Sequence, residues 1–121
     1  MNIWFLAASI ASFSICLLHI FGGGKIAARP LLNSSMGRVS KYTNYYCWHL
    51  VTITLVAIGA MFLWAAEHQD GIELAFAATG LCMAFMMWSF GIVALNKWRF
   101  FDFPQWLLFL VPLVLGVVGF K

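Results

Sequence analysis

Four long apolar stretches leave this chain few folds to choose from: about Ile3 to Phe21, Tyr45 to Ala66, Ile72 to Leu95 and Trp106 to Phe120. About 18 or more apolar residues with few charges are enough to cross a bilayer as an α-helix. The first three stretches reach that length. The fourth is shorter, and Pro112 near its middle removes a backbone hydrogen bond, which predicts a kinked, tilted or re-entrant segment. A closed β-barrel also spans lipid, but it requires alternating apolar and polar residues, and these runs do not alternate. Charged residues make up 9% of the 121 positions, against about 25% in soluble domains. The expected fold is therefore all-α: a single integral membrane domain over 1–121, built as a transmembrane up-down bundle of four helices. A long basic connector, Gly22 to Asn44, follows the first stretch, whereas Glu67 to Gly71 and Asn96 to Gln105 are only five and ten residues, and short connectors join antiparallel neighbours.

The few charges predict the orientation. Lys25, Arg29, Arg38 and Lys41 follow the first stretch and Lys97 and Arg99 follow the third, whereas Glu67 to Gly71 contains no basic residue and Lys121 stands alone at the end. Basic connectors stay in the cytoplasm, so both termini are expected on the outer, periplasmic side. So uneven a count also opposes a dual-topology dimer. The first stretch lacks the basic lead-in of a cleaved signal peptide, which predicts a retained span. Cys16, Cys47 and Cys82 suggest no disulfide framework. Trp4 and Trp64 fit an outer aromatic belt, and Tyr42, Tyr45, Tyr46, Trp48, Trp98 and Trp106 an inner one.

Polar groups inside hydrocarbon are costly and usually face a bundle interior. His19 and His49 lie roughly 9–11 Å to the cytoplasmic side of their span centres at 1.5 Å per residue. At helical spacing Ala8, Ser12, Cys16 and His19 form one stripe, and Tyr42, Tyr45, His49, Thr52, Val56 and Ala60 form another. If the stripes meet, His19, Tyr45, His49 and Thr52 gather into a ligand pocket in the cytoplasmic leaflet. Such a pocket suits hydrogen bonding between helices, a lipid or quinone, or a haem or metal held by His19 and His49. Bis-histidine haem ligation needs helices farther apart than the roughly 8–10 Å of direct packing.

Other clusters carry their own expectations. Gly22-Gly23-Gly24-Lys25 lacks phosphate-loop spacing and predicts a helix end, with Lys25 on the negative pole of the helix dipole. Lys25, Arg29, Arg38 and Lys41 together predict a lipid headgroup site. Met83 and Met87 present two thioethers on one face, a Cu(I)-type donor pair that resembles the methionine pair of eukaryotic copper channels over five residues; methionine packing is the alternative. Ala77, Gly80, Ala84 and Gly91 predict a close-packing face on the third span. Small multidrug antiporters share this length and span count, but they need a membrane-embedded acidic residue. The nearest here, Glu73, sits where it would cap a helix N-terminus.

The segments His19-Ile20-Phe21-Gly22-Gly23-Gly24, Ala28-Arg29-Pro30-Leu31-Leu32 and Tyr45-Tyr46-Cys47-Trp48-His49 resemble small bacterial four-span inner-membrane proteins of unassigned function. The resemblance implies a bacterial inner (cytoplasmic) membrane and carries no catalytic residues with it. The functional expectation is a non-catalytic membrane protein, either an accessory subunit of a larger complex or a small oligomer with a lipid- or quinone-type pocket. The alternative is a haem- or metal-binding redox or transport protein using His19 and His49. Expected partners are membrane lipids and other membrane subunits or further copies of the chain, with no nucleic acid.

Overall fold

The computed structural model describes residues 1–121, and every regular element in it is helical. Helix α1 runs without a break over Ile3–Leu32. It is α-helical over Ile3–Leu18, π-helical over His19–Ala28, and α-helical again over Arg29–Leu32. Helix α2 is Arg38–Glu67; a 3-10 turn, Gln69–Gly71, leads into α3, Ile72–Leu95; and α4 is Gln105–Gly119. The chain thus has three helices long and apolar enough to cross a membrane. The 15 residues of α4 reach about 22 Å at 1.5 Å per residue, short of a hydrocarbon core about 30 Å thick.

Two boundaries differ from expectation. Gly22–Gly24 do not end the first helix: none of them adopts the positive φ that a glycine C-cap uses, and the backbone winds on to Leu32. The long basic connector accordingly shrinks to 33–37, and Lys25, Arg29, Arg38 and Lys41 stand on helices. Glycine was a poor stop signal because the close approach of a neighbouring ring, described below, uses the missing side chain instead.

The four helices form a ring in which α1 packs on α2 and α4, and α3 packs on α2 and α4. Only 23 of 121 residues are buried, while Ile10, Leu17, Ile53, Phe76 and Trp88 all stand outward. Water would not tolerate so much contiguous apolar surface; lipid does. The α1–α2 seam keeps one antiparallel register. The Asn2 amide donates to the Ala66 carbonyl at 2.7 Å, Ser9 Oγ to Gly59 at 2.8 Å and Cys16 Sγ to Thr52 at 3.9 Å. Gly59 leaves room there for the Phe13 ring, which a Cβ would meet at 2.9 Å and displace.

The main core lies toward the end that holds Asn2, Glu67 and Gly119. Phe5, Ala8, Ile58, Phe62, Ala65, Ala66, Ala75, Ala78 and Cys82 form one buried cluster. Small residues let backbones approach closely here, as they do at Gly71, where a Cβ would meet the Ala65 Cα at 3.0 Å. Asn2 closes this end: its Oδ1 caps α1 by accepting from the Trp4 and Phe5 amides, and its Nδ2 donates to the Gly119 carbonyl at 2.8 Å.

Helical phase on α2 differs from expectation by one position. Val56 and Ala60 are exposed, and Leu55 and Gly59 face inward instead. The cross-helix bond from Ser9 to Gly59 and the Phe13 contact fix that rotation. On α3 the small-residue face is likewise not a packing face within the chain. Ala77 and Ala84 are exposed, nothing lies within 4 Å of a Cβ at Gly80 or Gly91, and Ala75, Ala78 and Cys82 are buried in their place.

Candidate functional site

At the opposite end of the bundle the helices hold one another more loosely, and the polar residues of the spans are arranged differently. The α1–α2 register sets position 49 level with position 19, but the rotation of α2 turns Trp48 toward α1 and leaves His49 exposed. The His19 ring stacks on the Trp48 indole with centroids 3.8 Å apart and planes 19° apart. His19 Nε2 lies 3.2 Å from the Trp48 carbonyl, which can only accept, so Nε2 is the donor. His49 instead meets Tyr45 edge to face at 4.6 Å. Thr52 Oγ1 donates to its own helix at the Trp48 carbonyl, 3.3 Å away. Of the four predicted pocket residues, His19 and Thr52 thus share one carbonyl, while Tyr45 and His49 form a separate pair.

Trp48 explains the path of α1 beyond Leu18. A Cβ on Gly23 would lie 2.5 Å from Trp48 Cη2, so glycine is what admits the indole. The π-helical stretch begins at the residue that stacks on this indole and ends after Ala28, where the Arg29 amide donates to the Gly24 carbonyl five residues back. π-Helical turns are rare and are found mainly at functional sites. Sequence reasoning places Trp48 only in an interfacial belt and misses this contact; the glycine run one helix away is the available signal.

The second feature is a cleft between α2 and α3, with α4 as its back wall, of about 280 Å³. Phe85, Trp88 and Ser89 of α3, Phe109 and Gln105 of α4, and Phe103 of the preceding connector line it. Val51 supplies the α2 side, and Val51 and Trp88 are exposed, so the cleft opens toward lipid. Phe85 and Phe109 meet edge to face at 5.2 Å, which sets the depth of the floor. The connector is itself ordered by aromatic packing: Trp106 Nε1 donates to the Phe100 carbonyl at 2.9 Å, and Phe90 stacks on Phe100 at 5.2 Å.

Ser89 stands apart. The other serine and threonine hydroxyls of the apolar stretches are all bonded: Ser9 across to Gly59, and Ser12, Ser14, Thr52, Thr54 and Thr79 to the carbonyl four residues back. Ser89 is 6% exposed, and its Oγ is the one buried side-chain polar atom without a partner. Leaving such a group unpaired costs about 1–3 kcal/mol, and with essentially no surface of its own exposed the hydroxyl lies behind the cleft wall rather than in the cleft.

The remaining candidates separate. Met83 and Met87 are both exposed on the lipid side of α3, with Cys82 buried behind them. No three His, Cys, Asp or Glu side chains come together as a metal-holding group. Lys25, Arg29, Arg38 and Lys41 are grouped at one end with Lys97, Arg99 and Asp102, while Glu67, Asp70, Glu73 and Lys121 lie at the other. That second end has its own hollow of about 350 Å³ between Asn2, Phe5, Glu67 and His68, with the His68 ring stacked on Trp64 at 4.0 Å. No family model, curated protein or solved structure matches this chain.

Proposed function

We propose that this integral membrane protein is non-catalytic and holds a lipid- or quinone-type amphiphile in the cytoplasmic-leaflet half of its bundle. It acts there as a subunit of a larger membrane assembly or as a small homo-oligomer. The observation that carries this reading is the coincidence of the aromatic, lipid-facing α2–α3 cleft with the basic end of the molecule. Six basic residues against one acidic at that end, and one basic against three acidic at the other, support a basic end in the cytoplasm and both termini in the periplasm of a bacterial inner membrane. Lys25, Arg29, Arg38 and Lys41, on helix ends at headgroup level, then draw anionic lipid.

The lining is aromatic and aliphatic apart from Ser89 and Gln105, a surface suited to an apolar guest. His19 supports a structural role, since its protonated nitrogen and one ring face are already engaged by Trp48. Extraction in a mild detergent, followed by identification of companion chains and bound small molecules, tests the proposal. A co-purifying amphiphile and stoichiometric companions or further copies are expected. A bare monomer that remains bare when returned to native lipid would reject it.

A further inference from the structure

We propose that the π-helical stretch His19–Ala28 is a two-position joint latched by Trp48. With the indole seated on Gly23 the stretch winds as a π-helix. When the indole swings out toward lipid the stretch rewinds as an α-helix, which turns Arg29–Leu32 by about half a revolution relative to His19. This device goes beyond the binding role and does not depend on it.

Helical phase supplies the two positions. The stretch packs on α2, and its one buried residue is Ala28. His19 and Gly23 face α2 as well, through the Trp48 indole. Ala28 follows His19 by nine residues, which is about two and a half turns of α-helix and would put the two on opposite sides. The wider i→i+5 winding takes more residues per turn, so the same span makes about two turns and both residues face α2. Rewound as an α-helix, the stretch brings Ile26 inward instead, because Ile26 follows His19 by seven residues and Gly23 by three, the spacing of a single α-helical face. In the π form Ile26 is 81% exposed. Each winding therefore offers α2 an apolar side chain below the indole, Ala28 in one and Ile26 in the other.

The local sequence balances the two windings. Gly23 admits the indole, but a Cβ at Gly22 or Gly24 would meet nothing within 4 Å. Glycine weakens a helix relative to alanine and loosens its backbone, so two glycines facing open space fit a segment that changes its winding better than one that only packs. Pro30 acts in the other direction. Inside a continuous α-helix its ring would press on the Ile26 carbonyl four residues back, whereas the π stretch leaves it in the first turn of the α-helical segment that starts at Arg29, where proline is tolerated. Pro30 and the seated indole thus hold the π form at rest, while Ile26 and regular i→i+4 bonding favour the α form. The half-buried Trp48 is the moving part, meeting α1 through its stack on His19 at 3.8 Å and its seat on Gly23. Lys25 and Arg29 ride on the joint or just past it while Arg38 and Lys41 stay on α2, so the two windings give the basic end two arrangements of charge.

Cysteine labelling reads the winding. The full chain, with its three native cysteines replaced by alanine, carries Ile26→Cys or Ala28→Cys in nanodiscs of phosphatidylcholine and phosphatidylglycerol, and the rate of reaction with a charged maleimide is measured. With Trp48 and Pro30 in place, Ile26→Cys should react at least about tenfold faster than Ala28→Cys, since a buried thiol is inert. Trp48→Ala removes a ring stack and should raise the rate at Ala28→Cys about fivefold. Pro30→Ala alone should raise it as well. Together the two substitutions should reverse the order, with Ala28→Cys fast and Ile26→Cys slow. Only reciprocal exchange reports rewinding. Fast reaction at both sites in the double variant would mean that the stretch melts, and an unchanged order or protection at both sites that its winding is fixed; any of these overturns the proposal. Pro30 is exposed, so Pro30→Ala alone keeps the test decisive if the chain without Trp48 does not fold: an unchanged rate at Ala28→Cys then overturns it.

Discussion

The two ends of the bundle use the same kinds of residue in opposite ways. At the acidic end, glycine and alanine bring backbones together: Gly59 under Phe13, Gly71 against Ala65, Ala75 and Ala78 beside Phe62, with Asn2 tying α1 to both α2 and α4. At the basic end, glycine admits a ring rather than a backbone, at Gly23 under Trp48, and α2 and α3 part around a cleft. Buried apolar residues concentrate at the first end; beyond Ile15, Cys16 and Leu55 only scattered ones such as Ala28 and Val93 remain. The contrast teaches a division of labour. Packing that specifies the fold is gathered at one end of the bundle, and the cleft lies at the other, where fewer buried contacts would be lost on opening.

Substitutions that act on one end and not the other sharpen this contrast. The largest effect is expected from Gly59→Leu, whose Cβ alone would press on the Phe13 ring at 2.9 Å. Overpacking of this kind costs about 1–3 kcal/mol, and the three further carbons of leucine beyond that Cβ place this case near the top of the range. Thermal unfolding in detergent measures it, and an unchanged midpoint would remove the claim that this seam is tight. Gly23→Ala should cost less, about 1 kcal/mol, because the half-buried Trp48 can swing toward lipid. The cost should vanish in a Trp48→Ala background, and additive losses in that double-mutant cycle would deny the contact.

Smaller effects follow from the hydrogen bonds. His19→Ala should lose about 1 kcal/mol, the sum of a ring stack and a membrane hydrogen bond averaging about 0.6 kcal/mol. Ser9→Ala should lose only about 0.6 kcal/mol, since the Gly59 carbonyl lies within a regular helix. A larger loss from Ser9 than from His19 would reverse the ordering. Last, Gly80→Ala faces open space and should cost no stability, since alanine is also the better helix former. A large loss there would mean that the outward small-residue face of α3 packs against another chain.

Much of the architecture was legible in the chain. Apolar run lengths gave the helices, and the residues between them gave the grouping of charge at two ends. His19 and His49 were placed at one depth from their distance to span centres, and the register of α1 on α2 supports that depth. What the sequence did not show was rotation. Shifting α2 by one position exchanges Trp48 for His49 and Leu55 for Val56, and nothing in a helix that is apolar all round marks which side turns inward. Gly22–Gly24 misled for a related reason, since glycine serves equally to stop a helix and to admit a neighbour. The Ser89 cleft was not legible at all: a serine within a span ordinarily bonds its own helix, and only three-dimensional structure reveals the one that does not.

The central claim, that one end is locked and the other opens for a ligand, is tested most directly by dipolar coupling between spin-label pairs across α2 and α3. One pair replaces the exposed Leu63 and Leu74 near the acidic end, the other Val51 and Trp88 across the cleft, in a chain whose three cysteines have been replaced and which sits in native-lipid nanodiscs. The account predicts strong, ligand-independent coupling for the first pair and weaker coupling for the second that changes when lipid extract is removed and restored. Equal coupling at both ends, unaffected by lipid extract, would contradict it.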